Sequence, residues 1–319
     1  MRVIAVAVTT SVLMIGATAC GGGSGSDTEA NDGPRAVKVG MLPILPTGAM
    51  QVGIDQGFFE ERDIDLSIET AQGGAALIPA VMSGTPQFAS SNPISLLTAR
   101  DKGLPVEVVS HWSSDHEVGE KGVNGVVAQK ASGITAPADL EGKTVAINTL
   151  KSMGDLAIRE AVRKDGGDPD AVKFVELAFP DMPAALEGGD VDAAWVPEPF
   201  LGGLLGGGAT LVSYATQDAV SGFPTQYIFT SEKLAKSDPD LVKDMTAGLE
   251  ESLEYADQHP DEVKAAAAKL IGIPPKALAG AEVEAFGTDL RKAQLTEVGA
   301  LMQEDDLISK KADVSGLLP

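Results

Sequence analysis

Residues 170–200 read DAVKFVELAFPDMPAALEGGDVDAAWVPEPF. Val172–Leu177 is a short run of strand formers, Pro183–Glu187 favours helix, and Val191–Val196 is an apolar run halted by Pro197 and Pro199. Apolar runs of this length, bounded by turn residues, suit strands buried on both faces, so the unit reads strand, helix, strand. Units of this kind build a parallel sheet whose strand-to-helix loops gather along one edge. Pro197 and Pro199 set φ near about −65° and withhold backbone N–H groups, which suits a strand leaving its sheet. Glu198 is then held stiffly at the carboxyl end of the last parallel strand of its sheet.

The same alternation runs outward in both directions. Upstream, VKVGML (37–42), IDLSIET (64–70), PQFASS (86–91) and PVEVVSHW (105–112) read as strands, with helices at 75–83 and 93–102. This β-α-β-α-β-α-β order predicts a mostly parallel sheet covered on both faces. After Val123 the pattern restarts with GVVAQK, a short helix in PADLEG, KTVAINT and a helix from Met153 to Lys164. Beyond LLGGGATLVSY the tail is richer in helix: Leu241, Met245, Leu249 and Leu253 recur every four residues, capped by Ser237–Asp240 and stopped before Pro260. The expected architecture is α/β with two lobes, 37–123 plus 213–319 and an inserted 124–212, the chain crossing between them twice.

Composition limits the partners. With 24 Lys+Arg against 46 Asp+Glu the chain carries −22, which argues against nucleic-acid or anionic-membrane surfaces, since both select basic patches. Residues 1–20 join Arg2 to an apolar stretch and small residues, an export signal too short to span a bilayer. The single cysteine, Cys20, ends Ala17-Thr18-Ala19-Cys20, which resembles a bacterial lipobox and implies a diacylglycerol anchor there; the plainer alternative is a conventional cleavage site beside a chance cysteine. Residues 21–36 are a Gly/Ser-rich tether, and about fourteen such residues span on the order of 20 Å. A globular body so leashed works at the cell membrane on its extracytoplasmic face.

GFFEERDIDLSIE (57–69), GGAALIPAVMSGTPQFASS (73–91), SGITAPADLEGKTVAIN (132–148), the 170–200 segment and GGGATLVS (206–213) occur in this order and spacing. Together they resemble the solute-binding proteins of NitT/TauT-type ABC importers, over residues 37–270. That family binds nitrate, taurine and other sulfonates, or thiamine pyrimidine precursors. The resemblance implies a type II periplasmic-binding-protein fold whose two lobes close on a small molecule, an ABC permease and ATPase as partners, a monomer, and no cofactor.

In such a body the carboxyl ends of strands and the N-termini of helices line a cleft between lobes. The candidate ligand contacts of the first lobe are therefore Thr47 and Gly48, Gln72 and Gly73, and Ser91 and Asn92, where glycine allows close approach and the polar groups serve as helix caps, ligand contacts or both. In the second lobe they are Asn148, Thr149, Lys151 and Ser152; Lys151 either pairs with an anion or is solvated. Trp112 and Ser113 fall at a strand end, the ring forming a cleft wall or packing in the core. Glu198 either meets an amine-bearing solute or latches the lobes through Lys151 or a backbone N–H. Phe179 and Met182 line an apolar part of the site or fill their lobe's core.

His111, Asp115 and His116 match no zinc spacing, and no metal site is expected. G-x-S-x-G, the phosphate loop G-x-x-x-x-G-K-[ST] and H-E-x-x-H are absent from the chain, so no catalytic residues are assigned. The expected function is capture of a small polar or anionic organic solute, sulfonate-, nitrate- or pyrimidine-like. An enzyme or sensory receptor on the same fold is the alternative.

Overall fold

The computed structural model describes residues 33–319. The export signal, Cys20 and most of the tether lie outside the described residues. The first part of the chain runs β1 (Arg35–Met41), α1 (Thr47–Asp55), β2 (Ile64–Thr70), α2 (Gly74–Ser83), β3 (Phe88–Ser91), α3 (Pro93–Asp101) and β4 (Val106–Ser114). The middle runs β5 (Asn124–Ala128), β6 (Thr144–Ile147), α4 (Met153–Lys164), β7 (Lys173–Glu176), α5 (Met182–Gly188), β8 (Ala193–Pro197), α6 (Phe200–Gly206) and β9 (Thr210–Ser213). The remainder is α7 (Ala215–Ala219), β10 (Pro224–Ser231), α8 (Glu232–Ser237), α9 (Pro239–Gln258), α10 (Pro260–Ile271), β11 (Ala285–Phe286), α11 (Lys292–Glu304) and α12 (Val314–Leu317).

Two sheets organise these elements. One has six strands in the order β11-β4-β10-β3-β1-β2, the other five in the order β7-β6-β8-β5-β9. We call each sheet with its helices a lobe. In the five-stranded sheet the unit of residues 170–200 forms as the sequence predicts: β8 is wholly buried and parallel to β6, which is parallel to β7. On its other side β8 pairs antiparallel with β5. In the six-stranded sheet β1 lies parallel to β2 and β3. Edge strand β2 alternates buried Ile64 and Leu66 with exposed Asp65 and Ser67.

The expectation of a mostly parallel first sheet fails at β10. This strand, PTQYIFTS, enters antiparallel between β3 and β4, so β4 and β11 continue the sheet in antiparallel register. All eight residues of β10 are buried, so it shows no period-two pattern to betray it. It also brings Thr225 and Gln226 from the helix-rich tail into the middle of the sheet.

Helix α9 closes the outer face of this sheet. Its stripe of Leu241, Met245, Leu249 and Leu253 is buried against the core, and Asp238 caps it by accepting from the Leu241 N–H at 3.1 Å. Loss of that cap in Asp238→Ala should cost about 1 kcal/mol of stability, read as a lower urea midpoint at unchanged slope. Phe59 is a full core anchor, whereas Phe58 is half-buried, edge-on to Tyr255 of α9.

Asp115 ties together the two chain crossings between the lobes. It accepts from the Val123 and His116 N–H groups at 3.1 and 2.9 Å, and from Thr216 Oγ1 at 2.5 Å. Burial raises its pKa above the ordinary carboxylate value, and these donors only partly offset that. Neither nearby histidine is engaged with a metal-like cluster: His111 bridges the Gly287 carbonyl and Ser114 Oγ, and His116 Nε2 meets the Val283 carbonyl.

Candidate ligand cleft

The carboxyl ends of β1 and β3 face those of β6 and β8 across a seam between the lobes, and a cavity of about 20 Å³ lies within it. From the first lobe it is lined by Leu42, Ile44, Asn92, Thr225, Gln226 and Glu284. From the second come Asn124, Asn148, Met153, Phe179, Trp195 and Pro197. Both lobes therefore contribute amides and apolar side chains. A volume of this size holds about one water molecule, so a solute enters only if the lobes part.

The loop after β1 is shaped from within. Thr47 Oγ1 donates to the Leu42 carbonyl at 2.5 Å, and Trp112 Nε1 donates to the Pro46 carbonyl at 3.1 Å. Both side chains are thus spent on holding Leu42 and Ile44 in place, and Trp112 is packed in the core. Gly48 faces α10, where a Cβ would meet the Val263 carbonyl oxygen at 2.2 Å. Gln72 is exposed, but Gly73 crosses the seam: a Cβ there would sit 2.9 Å from Thr149 Oγ1 and 3.8 Å from Asn148 Nδ2.

Asn92 works at both ends. Its Oδ1 caps α3 by accepting from the Ser95 N–H at 3.0 Å, and its Nδ2 reaches Ser152 Oγ of the other lobe at 3.1 Å. Ser95 Oγ lies 3.2 Å from the same Ser152 oxygen. Ser91 is buried, with no partner for its hydroxyl among the described residues. Lys151 is exposed with φ 53°, and its N–H donates to Asp155 Oδ2 at 3.1 Å.

The second lobe supplies an aromatic floor. Phe179 and Trp195 pack with ring centroids 5.8 Å apart, and Phe200 stacks on Phe179 at 6.2 Å. Met182 is buried in the same core. Trp195, from the middle of the 191–200 stretch, is the tryptophan that lines the cavity; the sequence draws attention to Trp112 instead because of its polar neighbours.

Glu198 lies beside this cavity, outside its lining. Its Oε2 accepts from the Gly202 N–H of α6 at 3.0 Å, while Oε1 is buried without a partner. Burial pushes its pKa up, partly offset by the Gly202 N–H, by Lys121 and by the Glu282 N–H of the first lobe. The acid that does line the cavity is Glu284, just before β11. It is 6% exposed, accepts from Thr225 Oγ1 at 2.6 Å, and burial pushes its pKa up to about 7 against the pull of the Ser113 and Thr225 hydroxyls. Ser113 is itself 2.9 Å from Thr225 Oγ1. No local pattern in AEVEAF marks Glu284; only the pairing of β11 with Ser113 and Ser114 puts it there.

A larger groove of about 570 Å³ runs past Leu186, Phe200 and Leu204 to Ile273. Its lining includes none of the buried polar atoms that lack partners among the described residues, whereas Asn124 Nδ2, Trp195 Nε1 and Gln226 Oε1 belong to residues lining the small cavity. Unpaired buried polar groups are costly, and three of those among the described residues belong to residues lining the small cavity.

The model of the NMT1/THI5-like family matches residues 47–263, more than half of the chain and both sides of the seam. The chain belongs to the NMT1/THI5-like family. It is 25% identical over 242 residues to a Brucella abortus (strain 2308) protein carrying the name binding protein, covering 74% of this chain and 72% of that one. It is 28% identical over 190 residues to the taurine-binding periplasmic protein of Escherichia coli (strain K12), covering 59% and 57% respectively. Among solved structures, the alkanesulfonate-binding protein of Xanthomonas axonopodis pv. citri bound to MOPS superposes with a TM-score of 0.73 at 17% identity, covering 90% of this chain and 99% of that one. This family member thus has the periplasmic-binding-protein fold. No helix among the described residues is long and apolar enough to cross a membrane.

Proposed function

We propose that this protein is the extracytoplasmic solute-binding component of an ABC importer, capturing a small organic solute by closure of its two lobes and handing it to a permease driven by an ATPase. The observation that carries this reading is the meeting of strand ends from both sheets around one cavity, three of whose lining residues have a buried polar atom without a partner among the described residues. The family and the taurine-binding relative support it. Residues 37–123 with 213–319, and 124–212, act as the moving bodies, hinged where Asp115 ties the crossings. Asn92, Asn148, Gly73, Thr149 and Ser152 are the contacts we assign to ligand or closure. The solute leaves unchanged, so the protein is not an enzyme, and Cys20 carries the lipid that keeps a monomeric body at the membrane.

Closure requires contact with both lobes, because a solute with equal affinity for the open and closed states shifts nothing. Solute titration should slow hydrogen exchange on both sides of the seam, at 42–48 and 148–153. A saturating solute that protects one side alone would overturn the mechanism. Ser152→Ala removes the hydroxyl that Asn92 and Ser95 reach across the seam, and should weaken solute affinity about five-fold, as for one hydrogen bond of about 1 kcal/mol. Palmitate labelling that persists in Cys20→Ala would contradict the anchor.

A further inference from the structure

Glu284 is the one ionisable side chain among the residues lining the cavity; no lysine, arginine or histidine lines it. Among the described residues no salt bridge reaches Glu284, and the groups acting on its carboxylate are the Ser113 and Thr225 hydroxyls and the like charge of Asp115. An ionised carboxylate so enclosed requires a counter-charge or further donors. Gln226 Oε1, next to Thr225 on the cavity wall and buried without a partner among the described residues, adds a second acceptor. Across the cavity Asn124 Nδ2 and Trp195 Nε1 are buried donors without partners.

The N-termini of α3 and α4 already hold a side-chain acceptor, while that of α2, at Gly73, has none. Asn92 Oδ1 caps α3, and the Asp155 carboxylate sits in the first turn of α4, accepting from the Lys151 N–H. That carboxylate is in turn paired with Arg159 at 2.6 Å, so the first turn of α4 already has its own acceptor and counter-charge. The cavity lining itself is polarised: an acid and an unpaired acceptor on the first lobe, neutral unpaired donors on the second.

We infer that the cleft selects a small solute presenting a proton-donating nitrogen, an ammonium or a ring amine, to Glu284 and Gln226, and an acceptor group to Asn124 and Trp195. This deepens the solute-capture reading and rests on it. Glu284 then decides specificity, and oxyanions without a donor, such as nitrate or simple alkanesulfonates, are rejected because they leave Glu284 unmatched and add like charge.

The test is calorimetric titration of the full chain with matched pairs: 3-aminopropanesulfonate against propanesulfonate, and 4-aminopyrimidine against pyrimidine, with nitrate alongside. The amine member of a pair should bind, with its amine-free partner at least about thirty-fold weaker. Glu284→Gln, which keeps the shape and an acceptor for Thr225, should remove most of that discrimination. Asn124→Ala should weaken both members of the pair and leave their ratio unchanged, which separates loss of recognition from loss of fold. Equal or tighter binding of propanesulfonate or nitrate, or undiminished discrimination in Glu284→Gln, would overturn the assignment of Glu284 while leaving solute capture standing. Absence of binding by every compound, extended to a general metabolite library, would instead overturn solute capture itself and this inference with it.

Discussion

Gly73→Val will weaken solute affinity between about five- and a hundred-and-fifty-fold and leave the fold intact. Gly73 has φ −166°, extended backbone that any residue adopts, so a side chain brings no local strain. What it meets is the opposite lobe, with Thr149 Oγ1 only 2.9 Å from the position of a Cβ. Overpacking of this kind costs about 1–3 kcal/mol, and here the cost falls on the closed state alone, because parting the lobes relieves it. Titration calorimetry reads the affinity and urea denaturation reads the fold. Gly73→Ala should show a smaller loss, and Thr149→Ala should restore part of it, as expected for two groups in direct contact. An unchanged affinity in Gly73→Val would mean that the lobes do not close along this seam.

The second large effect concerns pH. Glu284 titrates at about 7 in the folded protein, against an ordinary value of 4.5. Between these limits the native state holds a proton that the unfolded state has released, so its contribution to stability is greatest below pH 4.5 and is lost as pH rises to about 7. A rise from 4.5 to about 7 corresponds to about 3 kcal/mol. Asp115 is raised in the same direction by burial, so total stability mixes at least two groups. The cleaner quantity is the stability of Glu284→Gln minus that of the native protein. It should grow by about 3 kcal/mol from pH 4.5 to 7.5 and level off above that. A flat difference would mean that Glu284 stays ionised, matched by a positive charge. An amine solute should bind more tightly as pH rises through 7, because binding then finds the carboxylate already ionised.

How much of this was legible in the sequence depends on whether the signal is local. The α9 stripe and α4 follow from helical spacing and caps, and β8 from its apolar run, so both the α/β class and the direction of the strand ends could be read directly. β10 could not, because a strand buried on both faces and rich in Thr and Gln has neither alternation nor a continuous apolar run. Unread as a strand, it left Thr225 and Gln226 out of the expected site. Glu284 was hidden for a related reason: its position depends on the register of a two-residue strand against β4, a contact between residues far apart in the chain.

Local reading also raised residues whose groups prove to be engaged elsewhere. Trp112 and Thr47 have the right loops, but their polar atoms support the backbone of residues 42–46. Glu198 stands where the prolines put it, and one oxygen is taken up by its own helix at Gly202. Asn92 and Asn148, by contrast, line the cavity, because the ends of β3 and β6 deliver them there whatever the details of pairing elsewhere. Strand ends were a better guide than residue chemistry.

Solute capture by lobe closure is tested most directly by small-angle scattering of the protein with and without a saturating solute. A solute-bound protein should have a smaller radius of gyration than the solute-free one, and Gly73→Val should keep the larger radius at saturation. An identical radius in both states, with the site shown by calorimetry to be filled, would contradict closure as the mechanism.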